Sequence, residues 1–174
     1  DRRLRIEAVC SGDLDRFVAS LKAVLRRGAR LVQLRVPDRE RPVAERYARA
    51  ALPACRGAGA RLLVHRDVAL AAAVGADGVH LTAAQVRTLV TRPLPAGQLV
   101  AVSCHDAEEL ALAEKLGADF AVLSPVLPTA SHPGAPHLGW DRFSALVEEA
   151  LIPVYALGGM TPELIGTAWR HGAQ

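Results

Sequence analysis

The chain has 174 residues and a mass of 18.5 kDa; 51% of its residues are hydrophobic, 22% charged and 4% aromatic, and its net charge is +3. This composition excludes a disordered chain, and no apolar run nears the ~18 residues of a membrane span. Of the 21 cations, 19 are scattered arginines with few aromatics between them, which is not the clustered, stacking-rich footprint of a nucleic-acid binder.

The first residues, Asp1-Arg2-Arg3-Leu4-Arg5, read as a domain edge, so the expectation is one domain over 1–174 that is part of a longer chain. A strand is predicted over 4–9. Leu14, Phe17, Val18, Leu21, Val24 and Leu25 then fall at spacings of three and four, the stripe of an amphipathic helix. Gly28-Ala29-Arg30 ends that helix and introduces the apolar run Leu31-Val32-Gln33-Leu34. A helix over 42–58 follows, with Pro53 expected to kink it or stop it early. Gly59-Ala60-Arg61 precedes Leu62-Leu63-Val64, and Gly75-Ala76-Asp77 precedes Gly78-Val79-His80-Leu81. Between and after these, helices are predicted over 67–74 and 83–90 and a strand over 99–103. A helix over 106–116 leads to Gly117-Ala118-Asp119 and the run Phe120-Ala121-Val122-Leu123. A helix over 140–150, a strand over 153–157 and a helix over 162–170 capped by Thr161 complete the order, and Gly172-Ala173-Gln174 repeats the signal once more.

Glycine suits the left-handed position after a helix, and the short apolar runs suit strands covered on both faces. Strict alternation of seven strands and seven helices is compatible with an open doubly wound sheet or a closed (β/α)8 barrel. No G-x-G-x-x-G follows the first strand, which disfavours the dinucleotide-binding sheet. The fold expected is an α/β TIM barrel whose last strand–helix unit is absent from this sequence.

In such a barrel the chemistry gathers where the strands end. Those ends carry Gln33 and Arg35, His65-Arg66-Asp67, His80 and Thr82, and Ser103-Cys104-His105. The long loop from Ser124 to Gly134 and the turn Gly158-Gly159-Met160-Thr161 complete the set. The paired glycines allow a phosphate to approach the backbone, or they serve an ordinary tight turn. Arg35 offers a planar fork for a phosphate, or a surface ion pair. The six histidines lack metal-ligand spacing, so no bound transition metal is expected. Cys104 and His105 are neighbours on a strand and point to opposite faces, so they do not form a nucleophile–base pair. Cys10, Cys55 and Cys104 are odd in number and read as buried thiols in a reducing compartment, which makes a cytoplasmic location the expectation.

With these residues in view, the chain resembles the thiamine phosphate synthase/TenI family. The landmarks are Val32-Gln33-Leu34-Arg35, Val74-Gly75-Ala76-Asp77-Gly78-Val79-His80-Leu81 and Val102-Ser103. Further along come Ser124-Pro125-Val126-Leu127-Pro128-Thr129, Ala135-Pro136-His137-Leu138-Gly139 and Gly158-Gly159-Met160-Thr161-Pro162. The resemblance implies a TIM barrel and a role in thiamin biosynthesis. Synthases of that family join a hydroxymethylpyrimidine diphosphate to a thiazole phosphate and release diphosphate with Mg²⁺.

Carried onto this sequence, the resemblance assigns phosphate or substrate binding to Gln33, Arg35, Ser103, Thr129, Ser131, Gly158 and Gly159, and catalysis to Arg35 and His132. The departures fall on the metal and diphosphate side. Pro37 stands for a lysine, His65-Arg66 for Asn-Asp, Ala83 for a glutamine, Gln85 for an aspartate, and His132 for the loop lysine. Mg²⁺ prefers hard anionic oxygens, and these replacements remove the expected carboxylates. The partner implied is therefore a phosphorylated small molecule of the thiazole or thiamin phosphate class, with neither nucleic acid nor membrane. A homo-oligomer and an N-terminal Nudix-type hydrolase domain fused to this one are further implications. Alternative roles are a non-catalytic accessory or sensor domain and a TenI-like thiazole tautomerase. The tautomerase histidine falls here at Pro125, leaving His132 or His65 to act.

Overall fold

The computed structural model describes residues 5–9, 13–36, 41–129, 134 and 136–174; for 5–9 it gives the backbone alone. They group into two compact units, one of residues 1–80 and 93–99, the other of residues 81–92 and 100–174.

In the first unit, strands β1 (Arg5–Val9), β2 (Leu31–Arg35), β3 (Arg61–His65) and β4 (Gly78–Leu81, its last residue in the second unit) pair in parallel in chain order. Leu34, Val64 and Val79 share one rung, and His65 pairs with His80 one step further. Helix α1 (Leu14–Arg26) is capped by Asp13, and it buries Phe17, Leu21 and Leu25. Phe17 packs edge-on against Tyr47 of α2 (Arg41–Gly57), at 5.1 Å between ring centroids. The helix predicted over 42–58 is α2, which runs through Pro53 to Gly57 and does not stop early. Burial of Tyr47, Ala48, Ala51, Leu52 and Cys55 along one stripe offsets the hydrogen bond that proline removes. Helix α3 (Val68–Val74) follows β3.

In the second unit, β5 (Leu99–Cys104, its first residue in the first unit), β6 (Phe120–Leu123) and β7 (Val154–Ala156) are likewise parallel and in chain order. Helices α5 (Ala107–Leu116) and α6 (Gly139–Glu149) have the expected extents. Helix α4 is shorter than predicted, Ala83–Val86 rather than 83–90. Thr82 and Gln85 start it with a reciprocal capping box. The Gln85 carbonyl then gathers the Thr88 N–H at 3.1 Å, the Leu89 N–H at 3.0 Å and the Thr88 hydroxyl at 3.0 Å in one closing turn. Pro93, at the end of the following stretch, forbids resumption. The segment expected as one helix over 162–170 is a 3₁₀ turn, Pro162–Leu164, followed by α7, Ile165–Arg170. Thr161 holds the N-cap position, but its side chain does not cap the backbone. Its hydrogen bond instead holds the exposed Glu163 carboxyl below the ordinary carboxylate range.

The repeated Gly-Ala signal has one physical cause. At Gly28, Gly59, Gly75, Gly117 and Gly172 φ is positive, and each glycine donates three residues back while the following alanine donates five residues back. That pair of bonds is the Schellman closure of a helix. In the two Gly-Ala-Asp copies the aspartate adds a clamp. Asp77 accepts from the Leu62 N–H at 2.8 Å, and Asp119 from the Val100 N–H at 2.7 Å. The motif thus ends a helix and also fixes where the following strand pairs. No helix of the described residues is long and apolar enough to cross a membrane.

Candidate functional site

The strand ends of the first unit carry a polar cluster. Alternation along the strands puts Gln33, Arg35, His65 and His80 on one face, opposite Leu34, Val64 and Val79. The Gln33 side chain is 3% exposed, and its amide nitrogen lies 2.9 Å from Nδ1 of His65. An amide NH2 only donates, so Nδ1 accepts and the proton of neutral His65 sits on Nε2. The His80 ring is 1% exposed and sits 6.2 Å from that of His65, so it packs within the sheet as expected of a core histidine. Arg35 is exposed at the end of β2. Arg66, one residue past β3, has φ +65°, the only non-glycine residue with positive φ among those described. The Asp67 N–H reaches back over it to the His65 carbonyl at 2.8 Å, the hydrogen bond of a γ-turn. The Asp67 carboxylate accepts from the Leu70 N–H at 2.7 Å and so caps α3.

In the second unit Ser103 is half-buried near the end of β5. Burial, with Glu109 as the next contributor, pushes the Cys104 thiol up to about 12, which keeps it protonated and unreactive at neutral pH. His105 is anchored twice. Its N–H donates to the buried Glu109 carboxylate at 2.7 Å, and its Nδ1 lies 2.6 Å from the Ser124 carbonyl oxygen. A carbonyl only accepts, so Nδ1 carries the proton and neutral His105 presents Nε2 as a lone pair, with no described residue bonded to it. The sequence placed His105 at a strand end but gave no sign of this role, because its fixing partner lies 19 residues away.

The segments after β6 and β7 interlock through their backbones. The Val126 N–H donates to the Leu157 carbonyl at 2.8 Å, and the Leu127 N–H to Gly158 at 3.1 Å. A Cβ at Gly158 would come within 2.7 Å of Pro125, and one at Gly159 within 2.6 Å of the Pro128 oxygen. The paired glycines, with φ of +91° and +67°, are therefore required by close approach to the protein's own loop, whatever else they serve. The N–H groups of Gly158, Gly159, Met160 and Thr161 donate to no described residue. Successive N–H groups without a protein acceptor on a positive-φ turn are donors that an anion can use. The helix start expected after them is only the three-residue 3₁₀ turn. Thr129 is half-buried at the end of the described β6 loop. Ser131, His132 and Pro37 lie outside the described residues.

A Mg²⁺ ion does not suit the donors present. Asp67 is committed to capping α3, Gln85 closes the capping box of α4, and Arg66 contributes a cation where a carboxylate would be needed. Among the described residues no three His, Cys, Asp or Glu side chains converge as metal ligands.

Residues 7–174 match the thiamine monophosphate synthase family model. The chain is 36% identical over 159 residues to a putative thiamine-phosphate synthase 2 of Aquifex aeolicus, covering 91% of this chain and 86% of that protein. It is 40% identical over 160 residues to a putative thiamine-phosphate synthase of Geobacter sulfurreducens, covering 90% and 75%. Among solved structures, the thiamine phosphate pyrophosphorylase of Pyrococcus furiosus matches with a TM-score of 0.81 and 25% identity, covering 98% of this chain and 82% of that one. The fold class is the α/β barrel class of these neighbours, as the alternation of elements led one to expect. The chain belongs to the thiamine-phosphate synthase/TenI family of thiamin biosynthesis.

Proposed function

We propose that this chain binds a thiazole phosphate, its phosphate seated on the backbone after β7, and does not carry out the Mg²⁺-dependent coupling of that phosphate to a pyrimidine diphosphate. The observation that carries the reading is the run of four N–H groups, Gly158 to Thr161, with no acceptor among the described residues. A phosphate dianion supplies acceptors for several of them at once, and charge-assisted bonds of this kind are the strong ones. Ser103 and Thr129 are the hydroxyls assigned to the same ligand. The argument against coupling is chemical. Loss of diphosphate builds negative charge that needs metal or cations, and the residues at the metal positions are an arginine, a helix-capping aspartate and a capping-box glutamine.

Calorimetry with thiazole phosphate and with its dephosphorylated alcohol tests the binding. The phosphate is expected to bind and the alcohol to bind at least about tenfold more weakly, the worth of one charge-assisted hydrogen bond or more. Equal affinities contradict the reading. Incubation with both precursors and Mg²⁺ is expected to yield no thiamin phosphate above background, and turnover restores the synthase assignment.

A second reading, thiazole tautomerisation, has His105 in its favour. The Ser124 carbonyl fixes its tautomer and leaves Nε2 as a base at the end of β5, in the same unit as the N–H run. His105→Asn keeps a donor toward Ser124 while removing that base.

A further inference from the structure

We infer that Arg87 and Glu109 are positioning residues for His105. Their ion pair, between α4 and α5, keeps the His105 ring on the Ser124 carbonyl with Nε2 presented as a proton acceptor. The inference rests on the tautomerisation reading for the reaction that is served, while the arrangement itself can be measured without turnover.

The first support is the path of the Glu109 carboxylate. Glu109 is the third residue of α5, whose N-cap is Asp106. A glutamate in that position ordinarily reaches back to the N-cap N–H and closes a capping box. Asp106 does its half, accepting from the Glu109 N–H at 2.9 Å. Glu109 instead takes the N–H of His105, one residue earlier, on Oε2 at 2.7 Å. The bond thus reaches outside the helix and fixes the first residue after β5.

The second support is the buried charge. Glu109 is 5% exposed, and a carboxylate that far from water needs a partner. Arg87, the C-cap residue of α4, supplies it, with Nε and Nη2 at 3.2 and 3.0 Å from Oε1. The two oxygens are therefore divided, one for Arg87 and one for the His105 amide. Arg87 also lies 3.1 Å from Glu108 and 3.8 Å from Asp106, pairs open to solvent that contribute little.

The third support is His105 itself. It is exposed, yet its amide is tied to Glu109 and its Nδ1 to the Ser124 carbonyl at 2.6 Å. Holding an exposed ring still costs rotamer entropy and buries no apolar surface. What the restraint does supply is a base of fixed direction, the condition for efficient proton transfer.

The test is long-range ¹H–¹⁵N NMR of the histidine rings in the whole chain at about pH 8, where an ordinary imidazole is neutral. His105 is expected to show the Nδ1–H tautomer alone. Glu109→Gln has the same shape but one acceptor oxygen, so it cannot serve both Arg87 and the His105 amide. In it, and in Arg87→Met, the His105 signal is expected to average between tautomers. Proton exchange on thiazole phosphate is expected to fall about tenfold in both, with the affinity for thiazole phosphate unchanged. Asp106→Ala is the control: it loses the cap of the same helix but keeps the Arg87–Glu109–His105 bonds, so it is expected to melt lower with tautomer and exchange unaltered. A wild-type chain that moves no thiazole proton defeats the tautomerisation reading, and the tautomer shift in the two variants then still upholds the positioning. An unshifted His105 tautomer in both variants, or an equal shift in Asp106→Ala, overturns the inference.

Discussion

The strand ends of the two units present different kinds of polar group. In the first unit they are side chains: Arg35, Arg66, and the Gln33–His65 pair joined at 2.9 Å. In the second they are backbone N–H groups on a turn where a Cβ added at either glycine would come within 2.6–2.8 Å of Pro125, Leu127 or Pro128. A side-chain site can change its chemistry by single substitutions without disturbing the fold. A backbone site cannot, because the residues that shape it are also the packing. The departures from the family pattern fall on side chains of both units, Pro37, His65 and Arg66 in the first and Ala83, Gln85 and His132 in the second, while the paired glycines after β7 are retained.

The largest effect expected from breaking this contrast is on stability. Gly159→Ala places a methyl group against the Pro128 oxygen on a positive-φ residue, and about 3 kcal/mol of destabilisation is expected in denaturant unfolding. Gly75→Ala in the first unit has the same backbone penalty but meets no atom within 4 Å, so it is expected to cost only about 1 kcal/mol. Equal costs for the two would remove the distinction between a turn glycine and a packing glycine.

Next in size is His105→Asn, which retains a donor for the Ser124 carbonyl. If the second unit moves protons on its bound thiazole, exchange followed by NMR is expected to fall about 100-fold with binding unchanged. An unchanged exchange rate removes His105 from that role. Asp67→Ala is expected to cost about 1 kcal/mol through the lost cap of α3, with no change in any response to Mg²⁺. A metal response that disappears with Asp67 would return the carboxylate to the ligand set.

The smallest expected effect concerns the thiols. Burial raises Cys55 from 9.0 to about 11 and Cys104 from 9.0 to about 12. A raised thiol stabilises the folded chain while it stays protonated. That contribution is complete below pH 9 and is lost as pH climbs through about 11 and 12. Alkaline titration monitored by circular dichroism is expected to show this loss, and thiol reagents at pH 7 are expected to modify these cysteines only after unfolding.

Much of the fold was legible because its signals are local. The Gly-Ala repeat is a helix closure written in consecutive residues, and the strands were visible as short apolar runs bounded by it. Errors arose where local preference met tertiary packing. Pro53 did not end α2, because the buried stripe around Tyr47 outweighs one lost hydrogen bond. Helix α4 closes early, where the Gln85 carbonyl takes the Thr88 N–H, the Leu89 N–H and the Thr88 hydroxyl together. The site was legible as residue types at strand ends, but not as geometry. Nothing in the sequence marks the positive φ of Arg66, the Gln33–His65 bond or the Ser124 carbonyl that orients His105, since each depends on groups brought together by the fold. The glycine pair carried the opposite ambiguity, and the structure adds a packing reason to the phosphate one.

The anion site proposed for the second unit is built from the backbone after β7. Titration of ¹⁵N-labelled protein with thiazole phosphate in EDTA, followed by amide NMR, tests it most directly. The amide signals of Gly158, Gly159, Met160 and Thr161 are expected to move together and saturate with one affinity. Saturable binding that leaves those four signals unmoved, or no binding until Mg²⁺ is added, would contradict it.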